Sequence, residues 1–194
     1  MTKKGLMEHD TRKEMEREVA QCRALFEKKT RDYGTSWRIL RLPSLTDQIF
    51  IKANRIRSIQ ECGVNRVGDD IRDEFVAMVN YAVMALILNG QTGEGHDELS
   101  DVEVAKVVEL YDGQMKRILD LMMDKNHDYG EAWRQMRISS MVDLILMKLL
   151  RIKQIEDNEG KTLVSEGVEG GYMDIVNYSL FCLVRLTEEE NSKS

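Results

Sequence analysis

Lys52 and Arg55 stand three residues apart, and so do Lys148 and Arg151. On a helix, residues at that spacing share one face. Arg38 and Arg41 precede the first pair, Arg134 and Arg137 the second, with Lys29 and Lys125 further upstream. Each group gathers its cations around a tyrosine and a tryptophan, Tyr33 and Trp37 in one case, Tyr129 and Trp133 in the other. Multiple N–H donors, with the bidentate fork of arginine, are what phosphate oxygens require. Rings beside them can stack on a base. The same cations could instead pair with Asp residues across helices, and the residue types fit both uses.

A second set is acidic. Asp69 and Asp73 are four residues apart and Asn80 is seven beyond. A 3.6-residue helix brings all three into one narrow sector. Glu166, Asp174 and Asn177 occupy nearly the same sector later in the chain. Asp174 and Asn177 are embedded among apolar residues, and a carboxylate is costly to bury there unless it is paired or binds a metal. Carboxylates so arranged suit Mg²⁺, which takes a few protein oxygens together with substrate phosphates. The rival account is an interhelix ion pair with Lys148 or Arg151. No residue stands out as a catalytic nucleophile or base. His9, His96 and His127 form no cluster, and no Gly-rich phosphate loop, nucleophile elbow or zinc spacing occurs.

The two sets recur because the chain repeats itself. Residues 29–59 and 125–155 match without gaps at 14 of 31 positions, including the frame Lys-x-x-Asp-Tyr-Gly-x-x-Trp-Arg. One inserted residue later, Val79-Asn80-Tyr81 aligns with Val176-Asn177-Tyr178. Asp73 then aligns with Gly170, and Ala77 with Asp174, so each acidic stripe lacks a carboxylate that the other has. Such a repeat has to be settled before any fold argument.

Low glycine, a single proline and apolar residues at three- and four-residue spacing predict an all-α protein. The expected units are a first helical repeat over 11–89, a linker over 90–99 and a second repeat over 100–187. Within the first, helices are predicted from Thr11 to about Arg31, from Ser44 to about Glu61 and from Asp69 to about Leu88. Gly34 and Gly130 are placed to end their helices in left-handed caps. Ser44 with Asp47, and Ser140 with Asp143, read as capping boxes, as does Ser100 with Glu103. Thr187 to Ser194 reads as a solvated tail. Neither half buries three amphipathic helices well alone, which points to a helical bundle of two tandem three-helix repeats about a pseudo-twofold axis.

A net charge of −6 gives no general attraction to nucleic acid polymers or anionic membranes. No apolar run is long enough to span a bilayer. Cys22, Cys62 and Cys182 are odd in number and far apart, which argues against a disulfide framework and fits a reducing cytoplasm. A homo-oligomer is compatible with all of this.

With Asp-x-Ile-x-x-Lys-x-x-Arg-Ile and a helix ending in Asn-Tyr, the repeated frame resembles the nucleotide-modification-associated domain 1 family, in two tandem copies. The resemblance implies a link to modified nucleotides. The helix order is also similar to all-α nucleoside triphosphate pyrophosphohydrolases of the MazG and dimeric dUTPase type, which hold Mg²⁺ on Glu-x-x-Glu and Glu-x-x-Asp motifs. This chain departs from that pattern, offering Asp47 with Lys52 and Arg55 in place of paired glutamates. The expected function is binding or processing of a phosphorylated nucleotide, with or without Mg²⁺-assisted hydrolysis. Its residues are Lys29, Tyr33, Trp37, Arg38, Lys52, Arg55 and Asn80 with their second copies Lys125, Tyr129, Trp133, Arg134, Lys148, Arg151 and Asn177. Asp69, Asp73, Glu166 and Asp174 would hold the metal. The competing class is a non-catalytic sensor or scaffold whose polar repeats are buried ion pairs.

Overall fold

The computed structural model describes residues 10–63, 68, 70–90, 104–163 and 167–193. Among them are six α-helices: α1 (Thr11–Tyr33), α2 (Leu42–Cys62), α3 (Ile71–Gly90), α4 (Val104–Tyr129), α5 (Ile138–Asp157) and α6 (Val168–Asn191). No strand occurs among the described residues, so the chain is all-α. The Ser100 capping box, residues 91–99 of the linker, Asp69 and Glu166 lie outside the described residues.

The helices stack as three layers of two, with α3 and α6 packed together in the middle. On one side α2 lies on α3, α5 lies on α6, and α2 touches α5. On the other, α1 and α4 pack against each other and against the central pair. This explains the composition of the middle layer. A helix covered on both sides is apolar nearly all round, as α3 is from Phe75 to Ile87 and α6 from Tyr172 to Val184. The helices α1 and α4 bury a single stripe, Met15, Cys22 and Phe26 on one, Tyr111, Met115, Ile118 and Met122 on the other. Phe26 and Tyr111 stack across that layer at 4.6 Å. Both halves share one continuous core.

Two sequence expectations need correction. Helices α2 and α5 begin before their serines, at Leu42 and Ile138, with Arg41 and Arg137 as extended N-caps that make no side-chain cap. A 3₁₀ turn delivers the chain to each start, Leu40 N–H bonding Trp37 O at 3.1 Å and Met136 N–H bonding Trp133 O at 3.0 Å. Ser44 is then already within the first turn, its N–H on Arg41 O at 2.9 Å, and Asp47 is free to do something else. Asp47 pairs with Lys153 of α5, and Asp143 pairs with Arg57 of α2 at 3.6 Å. These are reciprocal contacts between antiparallel helices. The other correction is the C-terminus: α6 runs on to Asn191, because Thr187 and Glu188 have partners on α1 and on the second tryptophan turn.

Gly34 and Gly130 do stop their helices, with φ of 61° and 58°. Each N–H closes the last turn, on Thr30 O at 2.9 Å and Asn126 O at 3.0 Å. Gly34 has ψ −146°, outside the left-handed helical region that the sequence suggested and in a region only glycine occupies without strain.

Candidate functional site

The tryptophan turns place the first set of residues. Trp37 lies in the 3₁₀ turn Ser36–Ile39 and Trp133 in Ala132–Gln135. Trp133 is 6% exposed and stacks flat on Phe181 at 4.5 Å. Its Nε1 donates to Asn126 Oδ1 at 3.1 Å. Trp37 is half-buried near Phe26, and its buried Nε1 has no hydrogen-bond partner. Thr30 stands at the position of Asn126 and spends its hydroxyl on Phe26 O at 2.8 Å. Trp133 is therefore a core residue, while Trp37 packs against the core only in part. The tyrosines of the same motif differ: Tyr33 and Tyr129 are 70% and 76% exposed, one helical turn beyond Lys29 and Lys125.

Arg134 faces inward, its side chain 13% exposed. It lies 4.3 Å over the Trp133 ring and holds Glu14, Glu131 at 2.8 Å and Glu188 at 2.7 Å. Those carboxylates come from α1, the turn itself and α6. Burial works against the guanidinium charge here, and the hydrogen bonds that Arg134 donates to Glu14 and Glu131 more than restore it. Burial would likewise raise the Glu131 carboxyl, but bonds from Thr11, Arg134 and Asn126 outweigh it and hold the group below its usual range. Glu131 has φ 59° and ψ 30°, a conformation uncommon for glutamate, and these bonds to its carboxylate hold it there. Arg38, in the first copy, stands 6.0 Å from the Trp37 ring.

The helix after each turn carries the paired cations. In the first copy, Lys52 and Arg55 both turn to Glu74 of α3, which is 4% exposed. Arg55 takes Oε1, and Lys52 Nζ stands 3.1 Å from Oε2, an ion-pair distance without hydrogen-bond alignment. In the second copy, Lys148 Nζ reaches Asp174 Oδ2 at 2.6 Å, and Lys125 Nζ reaches Oδ1 at 3.6 Å. Asp174 is 25% exposed. Arg151 is exposed and makes no ion pair among the described residues.

The two carboxylates are not at equivalent positions. Glu74 aligns with Gly171, where a Cβ would lie 2.8 Å from Ile152 Cγ1. The Ile152 side chain fills that space and would have to shift to admit any side chain at this position, and the acid appears one turn later as Asp174. Tyr178, the next residue on that face, has its hydroxyl pushed up by burial and then by the Asp174 charge, with Lys148 opposing.

Asn80 is a core residue. Its amide donates to Cys22 O at 3.1 Å and its oxygen accepts from the Tyr111 hydroxyl at 2.8 Å. Asn177 is equally buried, but its Oδ1 lacks a partner. Met15 occupies the position that Tyr111 holds in the other copy, and a thioether cannot donate. Asp73 is exposed at the start of α3 and makes no ion pair among the described residues.

Sequence reasoning missed Glu74 and Glu18. The spacing points to Asp73 on the acidic stripe, but at the start of α3 it is Glu74 that lies inward and Asp73 that is exposed. Glu18 is fully buried and accepts from Arg72 at 2.8 Å and Thr187 at 2.9 Å. The signal was present: Glu18 falls in the Met15, Cys22, Phe26 register, where an apolar side chain belongs.

The chain is thus an all-α protein built on a repeated turn, with cations converging on a carboxylate in each copy. A family model described as nucleotide modification associated domain 1 matches residues 29–88 and 125–186, and the chain belongs to that family, in two tandem copies. No curated protein and no solved structure matches it significantly. No helix of the described residues is long and apolar enough to cross a membrane.

Proposed function

We propose that the protein binds a phosphorylated nucleotide through one of its two cation–carboxylate clusters. The observation that carries the reading is the charge pattern. In a chain of net charge −6, each copy brings two cations to a single carboxylate, Lys52 and Arg55 to Glu74, Lys125 and Lys148 to Asp174. In the second copy the exposed Tyr129 lies one helical turn beyond Lys125, and positive charge with a ring beside it suits a phosphate attached to a base. The family description, which ties such domains to nucleotide modification, supports the same substrate class.

Magnesium fits Asp174 poorly. Both Asp174 oxygens face lysines, and no group of three or more His, Cys, Asp or Glu that could hold a metal occurs among the described residues. No step of hydrolysis is therefore assigned. A neutralised Asp174 supports a sensor or carrier of nucleotides over a phosphohydrolase that would use that carboxylate for a metal. We further infer that the two copies are related by a pseudo-twofold axis, a reading supported by the reciprocal Asp47–Lys153 and Asp143–Arg57 pairs.

The test is a thermal-shift screen of nucleoside mono-, di- and triphosphates, with Mg²⁺ and with chelator. Stabilisation that survives chelation, with no phosphate released, is the expected result. Absence of any shift with every nucleotide would sink the reading.

A further inference from the structure

Tandem copies of one domain need not share one job, and the polar side chains of the two halves are arranged for different ends. In the first copy both cations of α2 are drawn down onto Glu74, which is 4% exposed. An acid this buried must keep its counter-charges, because losing one would strand an ion away from water. Lys29 is exposed and faces no counterpart of Asp174, since Ala77 holds that position.

In the second copy the buried acid is gone. Gly171 holds its position, and the Ile152 side chain fills the space, 2.8 Å from where a Cβ would lie. Arg151, the counterpart of Arg55, is thereby left exposed, without an ion pair among the described residues. Lys148 and Lys125 meet instead on Asp174, which water reaches. Lys125 arrives from the far end of α4, so two helices besides α6 contribute charge to one patch. Beside it lies Tyr178, which feels the Asp174 and Lys148 charges and stands edge-on to Phe181 at 6.2 Å.

We propose that the second copy alone carries the ligand site, with Lys125, Lys148 and Arg151 holding the phosphate of a nucleoside monophosphate, while the first copy serves as its structural support. Three cations against one carboxylate leave two positive charges, which match a phosphomonoester carrying roughly −1.5 to −2 at neutral pH. A triphosphate overfills that complement unless it brings its own cation. The assignment rests on the nucleotide-binding reading above and adds which half binds and how many phosphates it takes.

Calorimetric titration of the full chain with nucleoside mono- and triphosphates, in chelator and below the melting temperature of every variant, tests it. One site per chain is expected, with monophosphate bound at least as tightly as triphosphate. Arg151→Gln is expected to weaken binding at least tenfold and leave the melting temperature of the free protein unchanged. Arg55→Gln is expected to lower that melting temperature and leave the affinity intact. Should Arg55→Gln fail to fold, Arg55→Lys or Glu74→Gln combined with Arg55→Gln keeps the comparison. Two sites per chain, or an affinity that follows Arg55 rather than Arg151, would overturn the assignment and leave nucleotide binding standing. A marked preference for triphosphate would overturn the ligand class. No heat with any nucleotide would end both.

Discussion

At the scale of single residues, the most consequential group is Glu74. It is the meeting point of two cations and sits almost out of water. Glu74→Gln removes the shared acid and leaves Lys52 and Arg55 crowded together. Breaking a dry pair costs about 3–5 kcal/mol, and because these cations keep partial contact with water, a loss of about 2 kcal/mol is expected by urea unfolding. Tyr111→Phe deletes one oxygen and orphans the buried Asn80 acceptor, for about 1–2 kcal/mol by the same measurement. Glu156 gives a pH signature. It accepts from Thr46 at 2.7 Å and Tyr172 at 3.1 Å, yet burial outweighs those bonds and raises its carboxyl. A raised carboxyl is harmless while protonated and costs stability once pH climbs past its unfolded value near 4.5 toward the folded one. Glu156→Gln is therefore expected to raise the melting temperature at pH 7 and to have no effect at pH 4. An equal effect at both would show that the charge is not responsible. Much of this was legible beforehand as residue type: the cations, the rings and the asparagines were all visible in the repeat. Their pairing was not, because the distinction between Asp73 and Glu74 is a rotation of about 100° that apolar spacing does not fix.

For the elements, the sequence predicted six helices and their glycine stops but missed the 3₁₀ turns that aim them. The turn needs only four residues, too few for a periodic signal, and it shifts the start of α2 and α5 ahead of the serines. Gly34 shows how demanding the turn is. A Cβ there would touch nothing within 4 Å, so any cost of Gly34→Ala comes from its positive φ alone. About 1–2 kcal/mol is expected, read as a shifted urea midpoint with an unchanged slope. The Asp47–Lys153 and Asp143–Arg57 pairs behave oppositely. Asp47 and Asp143 are 60% and 63% exposed. Neutralising Asp143 is expected to cost no more than about 0.5 kcal/mol. Those pairs mark how α2 and α5 register without supplying much of the stability.

The whole molecule is held by what its halves hide from each other. The middle layer joins α3 of one copy to α6 of the other, and both are apolar nearly all round. A fragment of residues 1–90 is expected to dimerise or precipitate, since the apolar face of α3 that α6 and α4 cover would otherwise meet water. Size-exclusion chromatography with light scattering checks this, and a folded monomeric half would contradict it. Tyr111 bonds Asn80 across the halves, while its counterpart Met15 leaves Asn177 without a donor. In a dimer of identical chains, any substitution at such a position strikes both places simultaneously, so an innovation useful in one is inherited by the other. Joining the copies in one polypeptide removes that coupling. Each seat can then drift separately, and a methionine can be tolerated in one location while a tyrosine is retained in its mirror image.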